Sequence, residues 1–590
     1  MGLRQTKKYQ LKKISNNMTR STSTVLTILG VLAFASSYGQ TANADTLHTE
    51  QTYYGNEEHI LRDANKVGSW PQQKTDVVDI PPISYKLIPN KLNVEITPKI
   101  IKAASIKLEE PLKKLYRGYA RAGFGLFTTP LAELYFMDGR NRNGSFSVHG
   151  KHLSSLGGVS SSDSIPDSFS SNEIHVWGKR FIKKHAIEGG INWDRQVMHY
   201  YGYDAELLND TNYNVVQLPD PKQLFNNLDA LVNLTSFHRD STKVNYFGEL
   251  GFYNYRDKYD GQENNLNLFA HARKFVDTEL YSADFDFNYN QFQYFDRLDS
   301  ASSTADNAII GLTPRVKTIR EKLKVEIGAG IFIDLRGNPA FHFYPKLQAS
   351  YSLFDDLFIP YIGLDGNLER STYKSITTFN PFIVTDPELK SVSEKFRIYG
   401  GIRGTITKNV SFNLKAKYSD FDNFIYFVND SLYSPGSQFT LLYDDLNVLN
   451  LTGEVTINQT DKLRLLVRGD YFIYTTGSED YAWNQPSTKF TFSGTYNLQD
   501  KFTITAEVYT EGKRKFKSLA PIRDQDPEKD GSYTVDLKGY ADVNLAVEYR
   551  YTKRLSAFVK FNNMFASKYY RWYGYNVQRF NAMMGATYSF

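Results

Sequence analysis

The last eleven residues, FNAMMGATYSF at 580–590, constrain the fold more than any other stretch of this chain. Alternate positions carry the apolar set Phe580, Ala582, Met584, Ala586, Tyr588 and Phe590. The positions between them carry mostly small or polar side chains. A period of two predicts a β-strand with one face against an apolar environment. The strand ends on the aromatic carboxy-terminal residue, without a polar tail.

The same alternation recurs upstream in pairs of runs that are joined by short polar turns. Such pairs span residues 396–418, 449–473, 490–508 and 541–561. Longer connections rich in Asp, Asn, Gly, Ser and Pro separate the pairs, at 153–171, 201–226, 365–395, 419–446 and 511–540. Tight turns on one side and long loops on the other are typical of bacterial outer-membrane barrels. We therefore predict an all-β fold, a large antiparallel transmembrane β-barrel of about 22 strands (range about 16 to 24) over residues 117–590.

The amino-terminal region predicts export. A basic stretch precedes the apolar run VLTILGVLAFA at 25–35, and small residues follow. This pattern is typical of a signal peptide, residues 1–44, with cleavage after 39 or 44. Residues 45–116 are rich in proline and show little alternation, so we predict an extended periplasmic segment there.

Composition excludes several classes of protein. A mean hydropathy of −0.45 is too polar for a bundle of membrane helices but fits a barrel whose lumenal positions are polar. The 42 Tyr and 40 Phe suit two aromatic girdles at the membrane surfaces. Cysteine is absent, which excludes disulfides and thiolate metal sites. A net charge of +5 argues against a nucleic-acid partner, and we expect neither a cofactor nor a metal.

The closing strand resembles the signal that barrel-assembly machinery recognises, carried here by Phe580, Met584, Tyr588 and Phe590. Residues 117–590 resemble a TonB-dependent receptor barrel in size and strand pattern. Receptor-like barrels open with a GY…G…TP…E segment, matched here by Gly118-Tyr119, Gly123, Thr129-Pro130 and Glu133. An H-x-S-S segment follows at 152–155. Only about seventy residues precede the barrel after the signal, so the resemblance implies a receptor that lacks a complete plug domain.

The resemblance implies a Gram-negative outer-membrane location, with membrane lipid and the assembly machinery as partners. The predicted function is passage or uptake of solutes by a receptor-like or porin-like barrel. The alternative is a non-transporting barrel subunit that docks onto other outer-membrane or surface proteins. Residues 76–80 (DVVDI) faintly resemble a TonB-coupling segment, so TonB dependence stays open.

The strand pattern also predicts which charged side chains face the lumen. Ten cations fall on the face opposite the apolar one: Arg117, Arg121, Lys151, Lys179, Arg397, Arg403, Lys415, Lys417, Arg464 and Arg468. Acidic residues such as Glu173, Asp470 and Asp542 fall there too. These charges either solvate the lumen and pair across it, or favour the passage of an anionic solute.

His152 and Ser154 share one face of a strand and are candidates for nucleophilic catalysis. An outer-membrane phospholipase resembles this pair, with an Asn about a dozen residues further on. Here position 166 is Pro166, and Asn172 lies farther along. Because nucleophilic catalysis needs a third group to orient the base, we predict no enzyme activity and no catalytic residues.

Overall fold

The computed structural model describes residues 116–138, 141–159, 166–202, 220–240, 242–297, 299–430, 436–459, 462–520, 522 and 525–590. The predicted signal peptide and residues 45–115 of the predicted periplasmic segment lie outside this part. Within the described ranges, no helix has both the length and the apolar character needed to cross a membrane.

The described chain is built almost entirely from antiparallel strands. In chain order they are β1 (Gly118–Gly125), β2 (Thr129–Met137), β3 (Gly144–Ser155), β4 (Phe169–Ile182), β5 (His185–His199), β6 (Lys222–Ser236), β7 (Asn245–Arg256), β8 (Gln262–Val276), β9 (Glu279–Asp296), β10 (Ala301–Arg320), β11 (Leu323–Asp334), β12 (Ala340–Tyr351), β13 (Ile359–Glu369), β14 (Val392–Thr407), β15 (Val410–Asn429), β16 (Phe439–Gln459), β17 (Leu463–Thr476), β18 (Thr488–Leu498), β19 (Phe502–Glu511), β20 (Arg514–Ser518), β21 (Tyr533–Leu537), β22 (Tyr540–Arg550), β23 (Leu555–Asn562), β24 (Tyr570–Trp572), β25 (Tyr575–Asn576) and β26 (Asn581–Ser589). One short helix, α1 (Tyr373–Phe379), lies between β13 and β14.

The strands close into a ring. Each strand from β1 to β19 pairs with its neighbour in sequence, β19 pairs with β22, and β23 pairs with β26. The ring closes where β26 pairs with β1, for example at Ala122↔Ala586. The hairpin β20–β21 and the small pair β24–β25 belong to outer loops. The result is a closed barrel of 22 strands, which confirms the predicted class and strand number.

The closing seam is compact because its backbones approach closely. The carbonyl of Phe590 accepts hydrogen bonds from the backbone nitrogens of Arg117 (2.8 Å) and Gly118 (2.9 Å). Gly585 lies directly against the backbone of Ala122, so a Cβ at this position would collide with the carbonyl of Ala122. The seam therefore requires a residue without a side chain there.

As predicted, apolar side chains at alternate strand positions lie on the outer face of the ring. Side chains such as Phe124, Val232, Ile362 and Met584 are more than half exposed on the outer face, as expected for contact with lipid acyl chains. Tight turns at 183–184, 277–278, 321–322 and 408–409 lie at the end of the barrel that also holds both chain termini of the ring. The longer connections lie at the opposite end, which we call the outer end.

Some predicted loops are shorter than the sequence suggested. The predicted loop at 419–446 is mostly strand, because β15 runs to Asn429 and β16 begins at Phe439. A bulge between Phe421 and Phe424 interrupts this pairing, and the ladder then resumes. The two strands therefore extend toward the outer end as a paired ribbon, which satisfies their backbone hydrogen bonds beyond the barrel wall.

Candidate functional site at the outer end of the lumen

The connection 370–391 between β13 and β14 carries α1. Thr372 caps the helix: its hydroxyl accepts a hydrogen bond from the backbone nitrogen of Ser375 at 3.0 Å. The Ser375 hydroxyl lies 3.0 Å from the backbone nitrogen of Thr372, which completes a capping box. This reciprocal pair supports a helix of only seven residues, which has little intrinsic stability.

Helix α1 contacts strands far around the ring from its own. The carboxylate of Glu263 on β8 is fully buried and accepts hydrogen bonds from the backbone nitrogens of Tyr373 (2.5 Å) and Lys374 (3.2 Å). The hydroxyls of Tyr255 on β7 and Thr377 are 2.7 Å apart. Because β8 is five strands from β13 in the ring, the connection must cross the lumen to make these contacts.

Aromatic packing joins this connection to the other outer loops. The ring of Tyr373 stacks on Phe292 of β9 with centroids 4.7 Å apart. The ring of Phe382 stacks on Tyr575 in the β23–β26 loop at 3.5 Å. On the other side, Trp572 packs against Phe439 at 5.8 Å. We call this group of segments, residues 370–391, 514–537 and 563–580, the outer cap.

The core of the outer cap is apolar and buried. Its members are Met198, Tyr200, Phe225, Tyr255, Phe292, Tyr373, Ile376, Ile383, Leu389, Phe427, Phe439, Phe516, Leu537, Trp572 and Tyr575. Full burial of one large aromatic or aliphatic side chain contributes about 1.5 to 3 kcal/mol. The cap is therefore held as a packed unit across the outer end of the lumen.

A buried ion cluster ties three of the outer loops together. The guanidinium of Arg297 donates to Asp386 at 2.6 Å and to Asp430 at 2.9 Å. These residues belong to the connections after β9, β13 and β15. Burial alone would lower the pKa of Arg297, but the two carboxylates outweigh it and raise the pKa above the ordinary value. A buried charge with two such partners fixes the relative position of the loops.

The outer cap should be more stable at acidic pH. Burial raises the pKa of the Asp257 carboxyl to about 6, although the Tyr373 hydroxyl donates to it at 2.7 Å. Since the folded pKa is raised, this group stabilises the cap most below about pH 4 and the effect is lost as pH rises through 6. We expect amide hydrogen exchange of α1 to show about 1 kcal/mol more protection at pH 5 than at pH 7.

The matched variant is Asp257→Asn, which cannot ionise at this position and should show a smaller difference in protection between the two pH values; burial also raises the pKa of Glu263, which contacts α1 and is unchanged in this variant. Equal protection of the unmodified protein at pH 5 and pH 7 would contradict the assignment of Asp257.

A cavity of about 490 Å³ lies beneath the outer cap, next to β18, β19 and β22. Its walls are formed by Phe379, Phe427, Trp483, Asn484, Gln485, Pro486, Lys489, Tyr509, Glu511, Arg514, Tyr540, Tyr569, Arg571, Trp572 and Val577. Three of these side chains are cationic, one is anionic, and seven are aromatic rings of Tyr, Trp or Phe. Such a lining suits a planar or aromatic solute with negative charge.

The cations of this cavity differ in role. Arg514 is buried and donates to the carbonyl of Tyr570 at 2.6 Å, so it anchors the β23–β26 loop. Lys489 lies 3.4 Å from Glu511 at the outer ends of β18 and β19. Arg571 is exposed in the small pair β24–β25. Lys489 and Arg571 are therefore the cations that a bound solute can reach.

The ten predicted lumenal cations lie on the inner side of the strand pattern, and most have a partner in the barrel wall. Five make ion pairs: Arg121 with Glu133 (3.5 Å), Lys151 with Glu173 (2.9 Å), Lys179 with Glu188, Arg397 with Asp365 (2.6 Å), and Arg468 with Asp470 (2.8 Å). Arg403 lies over the ring of Tyr361, and Lys415 lies over that of Tyr399. Lys417 lies half-buried beside these on β15, while Arg117 and Arg464 lie at the end opposite the outer cap. The ten are thus spread around the wall and do not form one site.

The four residues predicted to form the barrel-assembly signal lie along strand β26. Phe580, Met584, Tyr588 and Phe590 are all exposed on the outer face of β26 or at its ends, and the rings of Tyr588 and Phe590 stack at 6.1 Å. Their recognition by assembly machinery stays a prediction.

The residues of the outer cap were missed by the sequence argument. The loop 563–580 contains the run Tyr569-Tyr570-Arg571-Trp572-Tyr573, which is unusually aromatic for a polar outer loop. That run was the available signal for inward packing. In the described ranges, no group of three or more His, Asp or Glu side chains is placed to hold a metal ion.

Comparison with known proteins gives matches of structure only. No family model and no curated protein sequence matches the chain. Among solved structures, the FrpB iron transporter from Neisseria meningitidis (F3-3 variant) superposes with a TM-score of 0.63, at 10% identity, over 81% of this chain and 82% of that one. The ferripyoverdine receptor of the Pseudomonas aeruginosa outer membrane gives 0.59, at 13% identity, over 81% and 72%.

The ferric-catecholate import receptor Fiu from E. coli K12 gives a TM-score of 0.58, at 10% identity, over 81% of this chain and 82% of that one. Identities this low establish the fold alone. The chain therefore has the 22-strand barrel fold of TonB-dependent outer-membrane receptors.

Proposed function

We propose that this protein is an outer-membrane, receptor-like uptake barrel whose cap cavity binds an anionic aromatic solute before its passage. The observation that carries the proposal is the cavity itself. It combines two reachable cations, Lys489 and Arg571, with the rings of Tyr540, Tyr569 and Trp572 under loops that cross the lumen.

Charge and ring chemistry favour one class of solute. Trp and Tyr faces bind flat rings, and the cations compensate negative charge on the solute. The solved structures with this fold include a ferric-catecholate import receptor and a receptor bound to ferripyoverdine. We propose that a ferric chelate of catecholate type is a solute of this barrel as well. Residues 76–80 lie outside the described part of the chain, so TonB dependence stays open.

Neutralising the two reachable cations should weaken binding of such a solute. The probe is the ferric tris-catechol complex, and binding is followed by quenching of tryptophan fluorescence, since Trp483 and Trp572 line the cavity. We expect Lys489→Gln with Arg571→Gln to raise Kd about tenfold or more, because a hydrogen bond to a charged group contributes about 1.5 to 3 kcal/mol.

The matched control is Lys515→Gln, which removes a cation from the same loop region but outside the cavity, where it pairs with Asp536 at 2.9 Å. Affinity that is unchanged in the double variant would contradict the site. Absence of binding in the unmodified protein would instead favour the alternative function, a non-transporting barrel subunit.

A further inference from the structure

The outer ends of β3 and β4 bring the side chain of Asn172 to those of His152 and Ser154, which share one face of β3. Antiparallel pairing places His152 directly opposite Asn172, and Ser154 directly opposite Ser170. The Nδ1 atom of His152 is 2.7 Å from the Oδ1 atom of Asn172, and its Nε2 atom is 3.1 Å from the Oγ atom of Ser154. A serine, a histidine and an amide oxygen therefore form one continuous chain of hydrogen bonds.

A fourth residue fixes the direction of these bonds. The Asn172 amide nitrogen donates to the Ser170 hydroxyl at 3.2 Å, which leaves the Asn172 oxygen facing His152. An amide oxygen only accepts, so the Nδ1 atom of His152 must carry the proton. Its Nε2 atom is then free to accept the proton of the Ser154 hydroxyl. This tautomer is the one that a general base needs next to a nucleophilic serine.

The register shows that this group faces away from the lumen. Phe225 of β6 is buried beneath α1, on the lumenal side. It lies opposite Gln196 of β5, which lies opposite Ser171 of β4, so these three share the lumenal face. Asn172, the next residue, therefore points outward, as does His152 across from it.

The side chains around this group on the outward face are apolar on one side and include a cation on the other. Val148 and Ile174 follow on the same face toward mid-strand and are 38% and 47% exposed, which suits contact with acyl chains. Arg195 of β5 lies directly opposite Asn172 on that face. An apolar strip below and a cation beside the group match the acyl chains and the phosphate of a membrane lipid.

From this arrangement we propose that Ser154, His152 and Asn172 form a catalytic triad on the lipid-facing surface, which hydrolyses acyl esters of phospholipids at the outer end of the barrel. The activity is separate from solute uptake, because the triad and the cap cavity lie on opposite sides of the barrel wall. Position 166 in the sequence is Pro166, and the pairing of β3 with β4 supplies Asn172 as the third member instead.

The reaction needs only a lipid ester and water. The Ser154 oxygen attacks the ester carbonyl carbon while the Nε2 atom of His152 takes the hydroxyl proton. The carbon–oxygen bond to the glycerol breaks, and His152 returns the proton to that oxygen, which leaves an acyl ester on Ser154. Water then attacks the acyl ester, gives a proton to His152 and releases a fatty acid, and Ser154 regains its proton. Asn172 holds the imidazole in the required tautomer, and Arg195 binds the lipid phosphate.

Two measurements on the full-length protein in detergent micelles test the proposal. The first is covalent labelling by a fluorophosphonate, with the modified residue located by mass spectrometry. The second is release of fatty acid from phosphatidylglycerol that carries a fluorogenic acyl chain. We expect labelling at Ser154, no labelling of Ser154→Ala, and a loss of esterase rate on the order of 10³ or more in Ser154→Ala and His152→Ala. Asn172→Ala should lose less, since the nucleophile and base remain.

The matched control is Ser147→Ala, a lumenal serine of the same strand, which should keep the full rate and the label. Heat modifiability in gel electrophoresis reports whether each variant still forms the barrel. Labelling of the unmodified protein needs no variant, so it tests whether Ser154 is a nucleophile even where a substitution prevents folding. The proposal is overturned if Ser154 takes no label, or if folded Ser154→Ala releases fatty acid as fast as the unmodified protein.

Discussion

Replacing residues 371–390 with a short Gly-Ser turn is expected to convert a nearly closed barrel into a wide ion-conducting pore in planar bilayers. The connection crosses the lumen to reach β8 and contributes four buried residues, Tyr373, Ile376, Ile383 and Leu389, to the core of the outer cap. Its removal takes away Tyr373, Ile376 and Ile383, and it also removes Asp386 from the ion cluster of Arg297. A 22-strand ring encloses a lumen so wide that such barrels are normally plugged, so loss of the cap should expose an open passage.

The comparison is with a second deletion, which removes residues 45–106 of the predicted periplasmic segment. We expect the loop replacement to raise conductance more than this deletion does, and the combination to raise it most. Each variant is first checked for heat modifiability, to show that the ring still forms. If the loop replacement conducts no better than the unmodified protein while the 45–106 deletion does, the outer cap is not the barrier.

A single cation introduced on the lipid-facing surface should strongly reduce the stability and assembly of the barrel. Val232 is 53% exposed near the middle of the outer face of β6, so Val232→Arg forces a guanidinium into the acyl region. The expected cost is about 2 to 4 kcal/mol at mid-depth, with a corresponding loss of barrel assembled in membranes. Unfolding in urea from detergent micelles measures the difference.

The next residue provides the control. Asn233→Arg introduces the same side chain on the lumenal face, where Asn233 lies opposite Glu188 on β5 and Glu249 on β7. Two carboxylates beside the new cation should make this variant nearly as stable as the unmodified protein. The same reasoning applies at the seam, where Met584 is 68% exposed and Met584→Arg should also impair assembly. A larger loss for Asn233→Arg than for Val232→Arg would reverse the assignment of the two faces.

The local alternation of apolar and polar residues was sufficient to predict the barrel. The period of two along β14, β16, β17 and β26 identifies which side chains face lipid, since a strand presents successive residues to opposite sides. Turns such as Lys408-Asn409 follow from polar residues between alternating runs. The strand number follows from counting those runs. Each of these properties depends on residues near one another in sequence, and the structure agrees with them.

The lengths of the outer loops could not be predicted from local alternation. Residues 422–429 and 439–446 contain polar residues that look like loop, yet they pair across a bulge and extend the ribbon. Helix α1 is seven residues long and depends on contacts with Glu263, more than a hundred positions away in sequence. Pairing partners at such distances leave no local periodicity, so sequence alone does not reveal them.

The sequence by itself determined the class of fold, the closed ring and the face on which each strand residue lies, because these follow from alternation and from chemistry of the two surroundings, lipid and water. Only the tertiary structure decided what lies across the lumen and which polar residues meet. His152 and Ser154 share a face by their spacing, but Asn172 reaches them only because the pairing register of β3 and β4 places it opposite His152. Likewise, the cavity beneath the outer cap is lined by residues from α1, β15, β18, β19 and the β23–β26 loop. These residues are distant in the chain, and they come together because the ring closes and because their aromatic side chains are buried against one another.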